Sequence, residues 1–195
     1  MTEYDNDKLT KEINNAADVI LRGGTILYPT DTIWGIGCDA TRQKIVKKVF
    51  KIKMRDESKS LIILVDSIER IKNHTSFYSD VVYDLVKGFD KPTTIIYPGA
   101  KNLAKNVIAK DGTVAIRVVN HEFCRRLITK IDRPIVSTSA NIAGDEAPSM
   151  FSEITRNIKD QVDYIVDWEQ DKLREVKPST ILKLKKDGMY EVIRS

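Results

Sequence analysis

Apolar residues recur along the chain with two different periods, and these periods separate predicted helices from predicted strands. Near the N-terminus they recur at steps of three and four residues, which is the apolar stripe of a helix. Gly23-Gly24 is predicted to end that helix, because glycine adopts the left-handed backbone found just past helix ends. The same spacing predicts four further helices. The stripes are Leu9, Ile13, Ala16, Ala17, Ile20 and Leu21; Ile45, Val46, Val49, Phe50 and Ile52; Val81, Val82, Leu85 and Val86, ending at Gly88; Phe123, Cys124, Leu127 and Ile128; and Ile154 with Ile158.

Short runs rich in aliphatic and β-branched residues lie between these helices and predict strands. The run over residues 60–65 is continuously apolar, so we expect a strand that is buried on both faces. Lys186-Asp187-Gly188 predicts a hairpin turn between the last two strands. The other predicted strands are residues 25–28, 93–97, 113–118, 135–136, 162–166, 180–184 and 189–193. Residues 137–149 are predicted to be a polar loop.

Strands and helices therefore alternate along most of the chain. This order predicts an α/β fold, with an open sheet flanked by helices and an antiparallel piece at the C-terminus. No shift in composition marks a boundary, so we expect a single domain over residues 1–195. Residues 167–177 mix acidic and basic side chains and are expected to form a solvated, mobile loop.

Composition and charge exclude several classes of protein. No stretch approaches the roughly 18 apolar residues of a membrane span, and the acidic N-terminus is not that of a secretory signal, so we expect a cytoplasmic protein. Cys38 and Cys124 exclude a disulfide scaffold and are expected to be reduced core thiols. Lys plus Arg is 32 and Asp plus Glu is 28, and this net charge of +4 suits an anionic ligand such as a nucleotide while permitting weak RNA contact.

Some motifs carry little weight alone. Residues 35–40 match the G-x-G-x-x-A dinucleotide fingerprint, but residues 29–32 break the strand that should lead into it. The chain contains no G-x-x-x-x-G-K-[ST] motif, which excludes a P-loop. His74 and His121 stand alone and are expected to be surface or cap residues rather than metal ligands or bases.

Three other features have both a structural and a functional interpretation. Lys53-Met54-Arg55, with Lys59 four residues later, is either a basic helix end that complements the helix dipole or a cation cluster for a triphosphate. Ser139-Ala140-Asn141 follows a short strand, where open α/β sheets bind ligands, although Ser and Asn also form ordinary turns. Arg117 lies in an apolar strand and needs a negatively charged partner. An anionic ligand and a structural carboxylate are equally good candidates for that partner.

The order of these motifs along the chain is more informative than any one of them. Together they resemble the YrdC/TsaC family of threonylcarbamoyl-AMP synthases, with K-x-R and S-x-N signatures in the expected order from about residue 25 to the C-terminus. Residues 35–40 fall inside this pattern, which argues against the dinucleotide fold. The likeness rests on Pro29-Thr30-Asp31-Thr32-Ile33-Trp34-Gly35; Lys53-Met54-Arg55 with Lys59-Ser60-Leu61; Thr113-Val114-Ala115-Ile116-Arg117-Val118; Ser139-Ala140-Asn141 with Gly144 and Pro148-Ser149; Pro178-Ser179-Thr180; and Arg194.

The resemblance implies a fold and an activity. The fold would be a twisted, mixed open sheet flanked by helices, with a central ligand groove. The activity would be that of a nucleotidyltransferase, which joins L-threonine, bicarbonate or CO2, and ATP into threonylcarbamoyl-AMP and pyrophosphate. Downstream threonylcarbamoyl transferase proteins would then modify tRNA at position 37. Since a carbamate oxygen attacks the α-phosphorus, we expect cations, with Mg2+, to matter more than an acid–base dyad.

The same resemblance implies site residues. The catalytic residues would be Lys53, Arg55, Ser139 and Asn141. The ATP site would consist of Lys53, Arg55 and Lys59 on the phosphates, with Thr113, Asn141, Ser149 and Arg194. The L-threonine site would consist of Thr32, Arg117, Ser139 and Ser179, with Arg117 on the carboxylate.

Three residues depart from the family pattern, and one alternative function stays open. Asp56 and Ser60 stand where the family often has proline, and Leu64 stands where many members have a histidine next to threonine. We expect the extra C-terminal domain of the longer members to be absent. The alternative is an RNA-binding paralogue of the same fold that acts in tRNA or ribosome maturation without making the adenylate.

Overall fold

The structure is a computed structural model that describes residues 2–77, 80–174, 177–185 and 189–195, except for the side chains of Asp80, Val81, Tyr83 and Leu85. The α-helices of this part of the chain are α1 (Glu3–Leu21), α2 (Gln43–Ile52), α3 (Asp80–Lys87), α4 (Glu122–Ile131) and α5 (Arg156–Lys159). The strands are β1 (Ile26–Tyr28), β2 (Gly35–Gly37), β3 (Ile62–Val65), β4 (Thr93–Tyr97), β5 (Val114–Val118), β6 (Ile135–Ser139), β7 (Tyr164–Ile165), β8 (Thr180–Leu184) and β9 (Tyr190–Arg194). Short 3-10 helices cover Ile68–Asn73 and Phe151–Glu153.

The strands form one mixed sheet, which confirms the predicted α/β fold class. Their order is β7-β1-β2-β6-β3-β5-β4-β8-β9. The pairs β1–β7, β3–β5 and β4–β8 are parallel, and the other neighbours are antiparallel. The register places Arg117 of β5 between Leu64 of β3 and Thr94 of β4. Among the described residues, no helix is long and apolar enough to cross a membrane.

Two cores pack against opposite faces of the sheet, because side chains alternate along each strand. The first core joins one face to α2, and its members include Val46, Val49, Phe50, Ile63, Val65, Ile95, Ile116 and Val136. The second core joins the other face to α1 and α4, and its members include Leu9, Ile13, Ala16, Ile20, Leu64, Phe123, Leu127, Ile128 and Ile135. Ile96, Ala115 and Arg117 lie on the same face of the sheet as Leu64 but line a groove, and Ile62 both lines the groove and packs against the second core. The helices of the second core therefore leave part of this face open to a ligand.

The helix predictions hold best where the apolar stripe is long. The predicted stripe of α1 is buried except for Leu21, which is 41% exposed, and Gly23 ends the helix with φ of 85°. Thr2 and Asp5 form a capping box, so the helix begins well before its apolar stripe. The helix predicted around Ile154 and Ile158 is confirmed only for Ile158, which lies on the one-turn α5, whereas Ile154 separates α5 from a 3-10 turn.

Several strand and loop predictions need correction. The sequence did not indicate strand β2, and β6 continues to Ser139, so the predicted loop over residues 137–149 begins three residues too early. The β8–β9 pairing confirms antiparallel strands at the C-terminus, while the predicted turn at Lys186-Asp187-Gly188 lies outside the described residues. Residues 167–174 are not a fully solvated loop, because the side chains of Glu169 and Arg174 are only 14% and 10% exposed and form an ion pair.

The two histidines and the two cysteines largely match the predictions. His74 ends the 3-10 helix and His121 precedes α4 as its N-cap, but His74 is buried and His121 half-buried rather than on the surface. Cys38 and Cys124 are free and buried, and burial raises the pKa of both thiols. They are therefore protonated core residues, as expected.

Candidate active site

A groove of about 480 Å³ lies over the open part of the sheet. Its lining comes from distant parts of the chain: the turn before β2, the chain between α2 and β3, strands β4 and β5, the end of β6 with the loop after it, and the two C-terminal strands. The sheet therefore gathers motifs that are widely separated in the sequence. Seven predicted site residues line the groove: Thr32, Arg55, Arg117, Ser139, Asn141, Ser179 and Arg194.

Four predicted site residues do not line the groove in this structure. Thr113 is held by Asp111, whose carboxylate accepts from the Thr113 hydroxyl at 2.7 Å. Ser149 similarly donates its hydroxyl to Glu153 at 2.9 Å. Lys59 is exposed beyond Arg55, and Lys53 is buried beside the groove. The groove thus brings together seven of the predicted site residues and leaves these four outside its lining.

Lys53 is 1% exposed, and its side chain extends from the end of α2 to the end of β6 and the loop that follows it. Its Nζ donates to the carbonyl of Ser139 at 2.5 Å and to that of Asn141 at 2.6 Å. Burial, and then the charge of Arg55, lower the pKa of Lys53 to about 8. The helix-dipole interpretation therefore does not describe this lysine, because its partners are carbonyls of a different segment, the one that carries the S-x-N signature.

Arg55 lies at the wall of the groove. Met54 has a left-handed backbone with φ of 49°, which turns the chain sharply after α2. Arg55 then donates from Nε to the Lys59 carbonyl at 3.1 Å and from Nη2 to the Ser60 carbonyl at 3.0 Å. Burial lowers the pKa of Arg55, and a guanidinium stays charged despite such a shift. Arg55 therefore presents a fixed positive charge to a ligand in the groove.

Arg117 has a structural carboxylate as its partner and also lines the groove. It is 4% exposed and lines the groove, and its Nη2 lies 3.1 Å from Oδ1 of Asp31. Its Nη1 donates to the hydroxyl of Thr32 at 3.4 Å. Its Nε is buried with no partner among the described residues. A structural carboxylate therefore orients the guanidinium, which keeps a donor for an anionic ligand.

Ser179 and Arg194 close the far side of the groove. The Ser179 hydroxyl shares a hydrogen bond with Thr94 at 2.8 Å, and its carbonyl accepts from Nη2 of Arg194 at 2.8 Å and from Nε at 3.1 Å. Burial, and then the charge of Arg117, lower the pKa of Arg194. Among the described lining residues the charged groups are Arg55, Arg117, Arg194 and Asp145, so the groove carries net positive charge.

The departures from the family pattern have local explanations. Leu64 is fully buried in the second core and does not line the groove, so the expectation that it borders a threonine pocket is wrong. Ile62, two residues earlier, is the side chain of β3 that lines the groove. Asp56 accepts the backbone N–H of Ser58 at 2.8 Å, and that hydrogen bond lowers the pKa of Asp56. Ser60 lines the groove.

Sequence reasoning missed several participants in the site. Asp31 lies within the motif over residues 29–35. A buried arginine requires a carboxylate, but nothing in the sequence indicates that Asp31 is the partner of Arg117. Thr94 and Asp145 carried no signal beyond their residue type. No group of three His, Cys, Asp or Glu side chains among the described residues could hold a metal ion.

Comparisons with known proteins give a consistent result. A family model for Sua5, YciO and YrdC, described as telomere recombination, matches residues 18–195. A threonylcarbamoyl-AMP synthase of Pseudoalteromonas translucida is 32% identical over 78% of this chain and 83% of its own length. The structure of a P. abyssi Sua5 variant superimposes with a TM-score of 0.85 at 27% identity, covering 93% of this chain.

A second Sua5 structure bears on the ligand. P. abyssi Sua5 complexed with L-threonine superimposes with a TM-score of 0.79 at 28% identity, covering 88% of this chain. The chain spans about half the length of the two Sua5 structures, 55% and 50% respectively.

Proposed function

The chain belongs to the Sua5/YciO/YrdC family, and we propose that it is a threonylcarbamoyl-AMP synthase that joins L-threonine, bicarbonate or CO2, and ATP. The observation that carries the proposal is the groove whose lining combines three arginines with the hydroxyl groups of Thr32, Ser139 and Ser179. The name of the P. translucida relative and the L-threonine bound to P. abyssi Sua5 support it. These names speak for the enzyme and not for an RNA-binding paralogue.

L-threonine would lie at the Arg117 end of the groove. A carboxylate is a planar acceptor that fits a guanidinium fork, and Asp31 already holds Arg117 in one orientation. Thr32 and Ser179 add hydroxyl groups beside it, and Ser139 at the end of β6 adds a third. This set can bind the carboxylate and side-chain hydroxyl of threonine together.

ATP would lie toward Arg55 and Arg194. Both line the groove, as does Asn141. Lys53 would act mainly on the loop, since its ammonium group is bound to the carbonyls of Ser139 and Asn141. Direct ATP contacts by Thr113 and Ser149 would require their hydroxyl groups to leave Asp111 and Glu153. The exposed side chain of Lys59 would have to reach into the groove.

The reaction needs positioning and charge stabilisation. The threonine amine attacks CO2 to form a carbamate and loses a proton. A carbamate oxygen then attacks the α-phosphorus of ATP, a P–O bond forms, and pyrophosphate leaves with the electron pair of the broken bond. Fixed cations such as Arg55 and Arg194 would stabilise the negative charge that spreads over the phosphates. We expect Mg2+ to enter as its complex with ATP, because Mg2+ sites commonly combine few carboxylates with substrate phosphates.

The product is a mixed anhydride and must be consumed by a transferase. We propose that downstream threonylcarbamoyl transferase proteins pass the group to tRNA, and that this occurs in the cytoplasm. The net charge of +4 permits only weak, salt-sensitive contact between this chain and tRNA.

One assay tests the proposal. Purified protein is mixed with ATP, L-threonine, bicarbonate and Mg2+ without tRNA, and pyrophosphate and threonylcarbamoyl-AMP are measured. We expect both products, and neither when L-threonine is omitted. Failure to form the adenylate, together with saturable tRNA binding, would favour the RNA-binding alternative.

A further inference from the structure

Residues 168–174 form a segment that touches three separate parts of the chain, of which Thr30 lines the groove, and we call it the strap. Through Glu169 the strap contacts His121, the N-cap of α4. Through the side chain of Arg174 it contacts the carbonyl of Thr30, and through the backbone N–H of Arg174 it contacts the carbonyl of Ser149 at 3.0 Å. Neither the family motifs nor the proposed substrate contacts include these strap residues.

Glu169 is the anchor of the strap. One carboxylate oxygen accepts from Arg174 and lies 3.1 Å from Nε2 of His121, and the other accepts from Lys172 at 2.6 Å. Burial alone would raise the pKa of Glu169, but the hydrogen bonds from His121 and Lys172 outweigh it and lower the pKa to about 2. Glu169 also has a left-handed backbone with φ of 56°, which a non-glycine residue adopts only when its surroundings favour it. The strap is therefore a specific structure and not a random connection.

Arg174 links this anchor to the proposed threonine site. Its guanidinium is 10% exposed and lies between the Glu169 carboxylate and the Thr30 carbonyl. The hydroxyl of Thr30 accepts the backbone N–H of Thr32 at 3.1 Å and donates to the Ile33 carbonyl at 2.7 Å. Thr32 in turn lines the groove beside Arg117. Arg174 therefore holds the turn that presents Thr32 without itself lining the groove.

We propose that Arg174, anchored by Glu169, is a positioning residue that fixes the Thr30–Thr32 turn for L-threonine. The inference rests on the proposed function and goes beyond it by assigning a role to a segment outside the substrate contacts. Arg174 suits this role because the planar guanidinium holds its donors to a carboxylate and a carbonyl in fixed directions, whereas the donors of an ammonium group rotate.

Steady-state kinetics on Arg174→Gln test the proposal. Losing this charged hydrogen bond should raise the KM for L-threonine about 10-fold and change the KM for ATP by less than about 2-fold. The ATP end is spared because the backbone N–H of residue 174 can still donate to Ser149. Arg174→Lys should rescue only partly. Arg125→Gln, which removes an exposed arginine of α4, is the matched control and should leave both KM values unchanged.

Amide hydrogen exchange gives a second readout that does not depend on activity. In Arg174→Gln the amide of Thr32 should exchange faster than in the wild type, whereas the amides of α1 should not. If Arg174→Gln does not fold, Glu169→Gln should show the same separation of the two KM values. The positioning role would be overturned if the wild type is active and the variant shifts both KM values equally. It would also be overturned if the amide of Thr32 exchanges at the same rate in the variant and the wild type. A wild type that makes no adenylate would instead overturn the proposed function, and the exchange at Thr32 would still decide the positioning role.

Discussion

Asp31 and Arg117 form an ion pair 3.1 Å apart beside the groove, with each side chain only 5% exposed. The other oxygen of Asp31 accepts the backbone N–H of Asn120 at 3.1 Å, so the carboxylate is held from two sides. A buried arginine with a single buried counter-charge keeps capacity for a second anion. The ion pair is thus compatible with the contact between Arg117 and L-threonine that we propose.

The first prediction concerns Asp31→Asn. Removing one partner of a buried ion pair leaves an uncompensated charge and typically costs about 3–5 kcal/mol of stability. In the variant, the carboxylate of L-threonine would become the main counter-charge of Arg117. We therefore expect a lower Tm than in the wild type but a larger increase in Tm on adding L-threonine. Thermal unfolding with and without L-threonine measures this, and equal increases in both proteins would place the threonine carboxylate elsewhere.

The second prediction concerns Arg117 itself. Truncating one partner of a charged, hydrogen-bonded pair costs about 2–5 kcal/mol, so Arg117→Ala should raise the KM for L-threonine by at least about 30-fold. The KM for ATP should change much less. Arg117→Lys should rescue poorly, since an ammonium group cannot contact Asp31 and the substrate carboxylate in the same fork.

The experiment on Arg117 has a clear contrary outcome. If Arg117→Ala weakens the use of ATP and L-threonine equally, or if Arg117→Lys restores full activity, the arginine acts on the fold and not on threonine. Circular dichroism on each variant separates loss of folding from loss of binding.

The third prediction is a pH dependence that arises from Lys53. Burial lowers its pKa from 10.5 to about 8, so between these values the unfolded chain binds more protons than the folded one. Stability contributed by this site should therefore rise as the pH increases from about 8 toward 10.5. The free energy of unfolding of the wild type, minus that of Lys53→Met, should increase over this range in urea titrations. A difference that stays constant with pH would mean that Lys53 is not buried as a charged group.

Part of the fold could be predicted from the sequence and part could not, and the physical reason differs from element to element. The stripes of α1 and α4 are long enough for their period to identify a buried face. Strand β2 is only three residues long and contains two glycines, and it exists through its pairing with β1 and β6, which no local pattern reports. Leu64 shows the same limit, because alternation in β3 cannot indicate which part of a face the helices cover.

Motif order predicted more of the site than motif chemistry did. The order placed Thr32, Arg55, Arg117 and Ser139 in one family pattern, and the groove brings these residues together. The partners that orient them, such as Asp31 for Arg117, are contacts between distant segments and depend on the strand order of the sheet.

The last prediction separates Arg55 from Lys53, two cations of the same motif that the structure engages differently. Arg55 is half-buried at the groove wall, whereas Lys53 is buried under the Ser139–Asn141 loop. Arg55→Ala should keep a near-native Tm and lose about 30- to 1,000-fold in turnover, because it removes charge that stabilises the phosphates in the transition state, worth roughly 2–4 kcal/mol. Lys53→Ala should lose activity and also lower the Tm, because two partly buried carbonyls lose their donor. Turnover and thermal unfolding measured on both variants, with Lys51→Ala of the exposed face of α2 as the control, test this separation. Near-wild-type turnover in Arg55→Ala would reduce the motif to a charged helix end, and an unchanged Tm in Lys53→Ala would contradict its role in holding the loop.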